Sequence, residues 1–342
     1  MRDAKNDESL TVSCVGSNPA TGLIAAIGMF DGVHVGHRCL LDQLQAKANT
    51  LGLKPCVVTF VNHPMEVIDS KRKPGLITAI EHKKELLAAS GIEEIIILEF
   101  DEQLRGLTAL EFAKRVLKPA GVEAVMLGFN NSFGSDCIKS AEVMAKVLEP
   151  AGIKVFSAEA FDACVVSSSL IRSHIKDGDI PAANRLLGRR HVVSGTVVHG
   201  RHIGHTLGFP TANIEPDCPS LLPRPGVYAA VMLEPGIVAG KPAMLNIGTA
   251  PTITDAANAP LTVECHIIID ANDDSKTKVK ADSGGHDLNL YGKKMRVELL
   301  ERLRDEKRFA GLDELKAGLN HDKMRSLEIW EREKKHIIKQ KE

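Results

Sequence analysis

Gly28-Met29-Phe30-Asp31-Gly32-Val33-His34-Val35-Gly36-His37 stands between an apolar run, Leu23-Ile24-Ala25-Ala26-Ile27, and a helical pattern carried by Leu40, Leu41, Leu44 and Ala48. The run is short and uncharged, as a strand buried on both faces of a parallel sheet requires. Gly28, Gly32 and Gly36 relieve the backbone where it must bend and where a ligand must come close. The turn therefore ends at a helix N-terminus, whose partial positive charge and unpaired N–H groups form a seat for phosphate. His34 and His37 stand three apart at this seat, where imidazoles donate to phosphate oxygens and offset charge that develops during phosphoryl chemistry. Taken alone, the same string also reads as a glycine-rich surface turn with two solvated histidines.

Working outward, strand-like runs recur at Pro55–Phe60, Ile95–Leu98, Ala124–Leu127 and Ile153–Phe156. Helical stretches lie around Glu81–Ala89, Ala109–Leu117 and Ile138–Leu148. Strand and helix alternate, which predicts an α/β unit with a doubly wound parallel sheet and right-handed crossovers. His63, beyond the end of the second run, lands beside the first turn, because ligands of such sheets bind beyond the carboxyl ends of strands. Gly128-Phe129-Asn130-Asn131-Ser132-Phe133-Gly134 suits a loop that hydrogen-bonds a base or ribose, or a plain turn. Ser167, Ser168 and Ser169 open a helix with Arg172 one turn on, serving as caps or as a triphosphate clamp.

From His191 the texture changes to β-like runs at Val192–Val198, Gly226–Leu233, Ala243–Ile247, Leu261–Ile269 and Lys294–Leu300. They predict a small closed antiparallel barrel. The connection Gly200–Ile214 brings Gly204 and Gly208 toward a polyphosphate. As loop residues, Thr211 and Asn213 either are mere turn formers or offer the oxygen ligands that Mg²⁺ favours, with ATP supplying others. Alternation places Glu264 on one face of its strand with Thr262 and His266, and Val263, Cys265 and Ile267 on the other. Leu312, Leu315, Leu319, Met324, Leu327 and Trp330 trace an amphipathic terminal helix packed on the barrel.

The 342 residues suit two domains, read as 18–186 and 187–336. A formal net charge of −1 gives no global attraction to nucleic acid or anionic membrane, so any phosphate site is local. Seven cysteines without a CxxC indicate neither a disulfide framework nor a zinc site and point to a reducing compartment. Residues 1–20 mix charged and polar side chains and do not read as a signal peptide. No apolar run approaches the ~20 residues needed to span a bilayer. The expectation is a cytoplasmic protein without a membrane partner, its oligomeric state not readable.

GMFDGVHVGH resembles the adenylyltransferase half of prokaryotic bifunctional riboflavin kinase/FMN adenylyltransferases, also called FAD synthetases. Thr59, Phe60, His63 and Pro64 resemble that family's TFxPHP, with Asn62 in place of the first proline, so a stiff turn is expected to become a flexible one. In the 128–134 loop Asn130 takes the polar role, and Asn131 replaces an aromatic, which is expected to loosen the hold on flavin or nucleotide. Ser167-Ser168-Ser169-Leu170-Ile171-Arg172 is similar to SSTxIR, with Val165 where a basic residue often precedes. LGFPTAN, Leu207–Asn213, is close to the signature of riboflavin kinases, with His205 where arginine is frequent. Asn246–Thr252 resembles NIGxxPT, Asp287–Gly292 a DLYG pattern with Asn289 for Asp, and Leu303–Phe309 LRxExKF.

The resemblance implies a Rossmann-like nucleotidyltransferase domain followed by a riboflavin kinase-like barrel. It implies riboflavin, FMN and ATP as substrates, FAD as product, and Mg²⁺. In the first domain His34 and His37 become catalytic. Gly28, Phe30, Asp31, Gly32, His63, Asn130, Ser167, Ser168, Ser169 and Arg172 bind ATP and FMN. In the second, Glu264 becomes the general base, and Gly204, Gly208, Pro210, Thr211, Asn213, Asn246 and Arg304 bind ATP or flavin, with Thr211 and Asn213 on the metal. Two other readings stand beside this one: a riboflavin kinase with a weakened adenylyltransferase domain, and a flavin-binding sensor without turnover.

Overall fold

The computed structural model describes residues 12–15, 22–128, 133–159, 166–199, 209, 211–217, 220–233, 240–249, 261–268 and 290–339. The chain forms two compact units, Met1–Ser167 and Ser168–Glu342.

In the first unit the strands are β1 (Val12–Val15), β2 (Leu23–Ile27), β3 (Lys54–Phe60), β4 (Glu94–Leu98), β5 (Val122–Leu127) and β6 (Lys154–Ser157), in sheet order β1-β4-β3-β2-β5-β6. All neighbours are parallel except β1, which runs antiparallel along β4 with Val12 opposite Leu98. All of β2 is buried, and its alternate residues feed two cores: Leu23, Ala25 and Ile27 one, Ile24 and Ala26 the other. Helices therefore cover both faces. On one of them α1 (Val35–Leu51) buries Leu41, Leu44 and Ala48, and it stops at Gly52, whose φ of 67° is left-handed. The chain moves outward from β2 through β3 to β4, then returns to lay β5 on the other side of β2. The order thus reverses between β2 and β5, where open α/β sheets bind their ligands. α2 (Met65–Ile68), α3 (Ile80–Ala89), α4 (Glu102–Gly106), α5 (Ala109–Phe112) and α6 (Ala141–Leu148) complete the unit. The helix read over 109–117 changes to a π-turn at Ala113–Leu117, where Lys118 N donates to Ala113 O at 2.9 Å.

The second unit opens with α7 (Ser168–Asp177) and α8 (Ile180–Leu187), followed by β7 (His191–Val198), β8 (Thr211–Pro216), β9 (Gly226–Leu233), β10 (Lys241–Thr249), β11 (Leu261–Ile267) and β12 (Lys294–Arg304). These six strands close into an antiparallel barrel in the order β10-β11-β8-β7-β12-β9. By sequence texture the boundary falls after residue 186, whereas contacts divide the chain between Ser167 and Ser168. The reason lies in α7 and α8: Ile180 enters the barrel core, the Asn184 amide donates to Leu299 O (2.9 Å), and Arg224 N donates to Ile175 O (3.3 Å). β8 corrects the reading of Thr211 and Asn213 as loop residues. Only Ile214 on it is buried, so the segment lacks the apolar alternation that announces a strand, and pairing with β7 and β11 makes it one.

The terminal helix α9 (Leu312–Lys339) also departs from its predicted stripe. Leu312 and Met324 are exposed, and among its described side chains the buried ones are Asp322, Ser326, Ile329 and Trp330. Asp322 is inside because its carboxylate meets the Arg304 guanidinium on two sides, Nε at 3.1 Å from Oδ1 and Nη2 at 2.6 Å from Oδ2. Removing one member of such a pair leaves the other charge uncompensated. Asp322→Ala is therefore expected to cost about 3–5 kcal/mol of stability, measured by denaturant unfolding.

Candidate functional site

In the first unit the chain leaves β2 as a tight turn held from beneath. Gly28 N donates to Val58 O (3.0 Å), and Gly32 has φ 88°. Phe30 (φ 46°) and Val33 (φ 38°) also stand in the left-handed region, although each carries a Cβ. Such conformations cost roughly 1–3 kcal/mol each and persist only where surroundings impose them. Here both side chains are buried, and Asp31, fully buried, accepts from Ile77 N (3.0 Å) and Thr78 N (3.1 Å). Asp31 thus braces the turn against the segment entering α3.

The turn delivers His34 to the N-cap of α1, where its Nδ1 accepts from His37 N at 3.3 Å. A neutral imidazole that accepts at Nδ1 carries its hydrogen on Nε2, so His34 keeps a donor on the far edge of the ring. His37 stacks on it with centroids 3.6 Å apart and planes 15° from parallel, and Phe30 packs on His37 at 5.0 Å. The His37 pKa is driven well below 6.5, chiefly by burial, with His34 and Lys83 adding like-charge repulsion. His37 is therefore neutral at physiological pH, and its Nδ1 is buried without a partner among the described residues. A Cβ on Gly36 would stand 4.0 Å from Val166, so Val166, next to Ser167, lies against the first turn of α1.

His63 lies in the turn after β3, its Nδ1 accepting from Met65 N (3.1 Å). The flexible turn expected at Asn62 is not found. The Asn62 amide donates to Phe100 O and its oxygen accepts from Phe100 N, both at 2.8 Å, so two hydrogen bonds replace the stiffness of proline. Ser168, Ser169 and Arg172 are on α7 in the second unit, Ser169 exposed and Arg172 buried. Asn130, Asn131 and Val165 lie outside the described residues.

Sequence reasoning passed over Lys83. It sits fully buried inside α3 and donates to Met29 O (2.9 Å), Phe60 O (3.0 Å) and Thr59 Oγ1 (3.3 Å). Its spacing from Ile80 and Leu87 puts a charged residue on an apolar helix face, a signal present in the sequence.

In the second unit one rung of the barrel collects the polar candidates. Asn213 on β8 stands opposite Glu264 on β11, Glu264 opposite Asn246 on β10, Asn246 opposite Val227 on β9, and Val227 opposite Arg304 on β12. Their neighbours Ile214, Val263, Cys265, Leu245 and Ile247 fill the barrel core, so Asn213, Glu264 and Asn246 share its outer face. Thr211, two residues before Asn213, pairs with His266 on that face, and Phe209 packs on His266 at 5.1 Å. Burial raises the Glu264 pKa above 4.5, and the Glu306 carboxylate adds to the shift. Glu306, likewise passed over, fills the space a Cβ on Gly248 would occupy. The guanidinium of Arg304, expected at flavin or phosphate, pairs with Asp322. Gly204, Gly208, Pro210 and His205 lie outside the described residues.

Thr211, Asn213 and Glu264 bring a hydroxyl, an amide carbonyl and a carboxylate to one face. The Thr211 and Asn213 oxygens are hard donors that fit a magnesium ion taking its other ligands from water and substrate phosphates, with the Glu264 carboxylate beside them.

Residues 17–170 match the family model described as FAD synthetase, and residues 187–330 the one described as riboflavin kinase. The bifunctional riboflavin kinase/FMN adenylyltransferase of Escherichia coli (strain K12) is 33% identical over 315 residues, 91% of this chain and 94% of that protein. The protein of the same description from Bacillus subtilis (strain 168) is 29% identical over 309 residues, 90% of this chain and 92% of its own length. A crystal structure described as a macrolide-efflux protein from Streptococcus pneumoniae is 27% identical, with a TM-score of 0.75 over 90% of this chain and 94% of that one. Among the described residues of this chain no helix is long and apolar enough to cross a membrane.

Proposed function

We propose that this chain, which belongs to the family of bifunctional riboflavin kinase/FMN adenylyltransferases, makes FAD from riboflavin in two ATP-dependent steps, one in each unit. The observation that carries this reading is the convergence of Asn213, Glu264 and Asn246, from three strands distant in sequence, on one rung of the barrel.

In the kinase step Glu264 accepts the proton of the riboflavin 5′-hydroxyl as that oxygen attacks the ATP γ-phosphorus. The bond to the β-phosphate oxygen breaks, and FMN and ADP leave. Burial and Glu306 lift its basicity into a range closer to neutral pH. Thr211 and Asn213 would hold magnesium, which neutralises phosphate charge when bound.

In the adenylyl step an FMN phosphate oxygen attacks the α-phosphorus of ATP, and pyrophosphate leaves. No protein nucleophile is needed. His34 Nε2–H, His37 and backbone amides of the α1 N-terminus hold the phosphates in line and stabilise the charge of the transition state by donating hydrogen bonds. Asn130, Ser167 and His63 are the further candidates from the first unit for holding ATP and FMN. Asp31, Phe30, Gly28 and Gly32 shape the turn. The protein acts in the cytoplasm on riboflavin, FMN and ATP and binds neither nucleic acid nor membrane.

The test is incubation with riboflavin, ATP and magnesium, followed by chromatography of the flavins. FAD is the expected product. FMN alone means a monofunctional kinase, and unchanged riboflavin means a flavin-binding protein without turnover.

A further inference from the structure

The three acceptors around Lys83 come from the carboxyl ends of two different strands. Met29 leads out of β2, and Thr59 and Phe60 end β3, with Thr59 Oγ1 itself donating to Met29 O at 2.9 Å. One ammonium thus joins the carboxyl ends of two parallel strands under the turn that presents His34 and His37. Lysine is almost never fully buried. An apolar side chain of similar length would fill the same space but take this donor from Met29 O and Phe60 O. A buried cation tying two strand ends next to a site for anions is a candidate for function as well as for stability. Two titratable groups face it: Asp31 from the turn, which favours the charged form, and His37 from α1, whose protonation the ammonium opposes.

We propose that Lys83 is a positioning residue for adenylyl transfer, its ammonium fixing the ends of β2 and β3 and placing a positive charge beneath the phosphate-binding turn. The inference rests on the adenylyltransferase reading of the first unit. Burial lowers the Lys83 pKa to about 8, with Asp31 opposing the shift. Lys83 therefore sheds its charge within reach of ordinary assays. A polyphosphate seated above it favours the ammonium, so ATP binding takes up a proton above that pH. A purely structural tie behaves otherwise, because the neutral amine still has two N–H groups for Met29 O and Phe60 O.

The experiment measures FAD formation from FMN and ATP between about pH 7 and pH 9.5 for the wild type, Lys83→Met and Lys83→Arg. Riboflavin phosphorylation by the same preparations serves as control. In the wild type the KM for ATP is expected to climb above pH 8 while kcat changes less. Lys83→Met is expected to raise that KM roughly tenfold at pH 7, the scale of one lost charge interaction, and to flatten its pH profile. Lys83→Arg is expected to hold a low, flat KM across the range, because guanidinium stays protonated. Phosphorylation of riboflavin is expected to be unchanged in all three. Proton uptake on ATP binding, read by calorimetry of the wild type in two buffers of different ionisation enthalpy, gives the same answer if a variant fails to fold. A wild type that makes FAD with a pH-independent KM and no proton uptake overturns the role of Lys83 alone. A wild type that makes no FAD overturns the adenylyltransferase reading, and this inference with it.

Discussion

Glu264→Gln is expected to phosphorylate riboflavin about 10²- to 10⁴-fold more slowly than the wild type, the range that a positioned general base contributes, while FMN supplied directly still becomes FAD at the normal rate. The amide keeps the shape and one acceptor of the side chain but cannot take the hydroxyl proton, so the loss should appear in kcat rather than in KM. The same carboxylate sets a pH limb. Its pKa is raised by burial and then by Glu306, and only the ionised form acts as base. Kinase activity therefore falls on acidification at a higher pH than an ordinary glutamate would dictate. Glu306→Gln removes the second cause and should move that limb toward lower pH. Kinase activity in Glu264→Gln within about threefold of the wild type would remove Glu264 from the mechanism.

The second large effect belongs to the stacked pair in the first unit. His37→Ala is expected to slow FAD formation from FMN by about 10²- to 10³-fold, the loss seen when one preorganised donor to a developing oxyanion is removed. Because His37 is held neutral, its donor strength does not depend on protonation, and activity should not fall between pH 6 and 8 on its account. His34→Ala loses the corresponding donor and also the cap of α1, which adds about 1 kcal/mol of lost stability measurable by denaturant unfolding. The two rings act as a stack, so the double variant should fall little below the worse single one. Riboflavin phosphorylation reports on the second unit and should survive all three changes. FAD formation in His37→Ala within about fivefold of the wild type would show that the pair holds the turn and takes no part in transfer.

Much of this architecture is legible in the sequence because burial leaves periodic marks. Leu23–Ile27, buried on both faces of the sheet, is continuously apolar, and the run coincides with β2. Val263, Cys265 and Ile267 alternate with polar neighbours, and they fill the barrel core. Where a segment answers to a partner and not to a face, the marks disappear. β8 exposes most of its length and becomes a strand through pairing. Asn62 lacks the stiffness of proline, and only the backbone of Phe100 supplies the two bonds that restore it. Met324 fits an apolar helical stripe yet is exposed, while Asp322 breaks the stripe and is buried, because Arg304 awaits it on the barrel.

By itself the sequence determined the two kinds of unit, the glycine-relieved turn that brings His34 and His37 to a helix N-terminus, and the place of Glu264 on the outward face of its strand. These are local matters, set by apolar spacing, turn chemistry and residue type within a few positions. The tertiary structure alone decided that Asn213, Glu264 and Asn246 share a rung, that Arg304 is committed to Asp322, and that Lys83 lies under the phosphate turn. Strand register and the neighbours of a buried charge are fixed by closure of the barrel and by packing between segments far apart in the chain, and no local pattern encodes them.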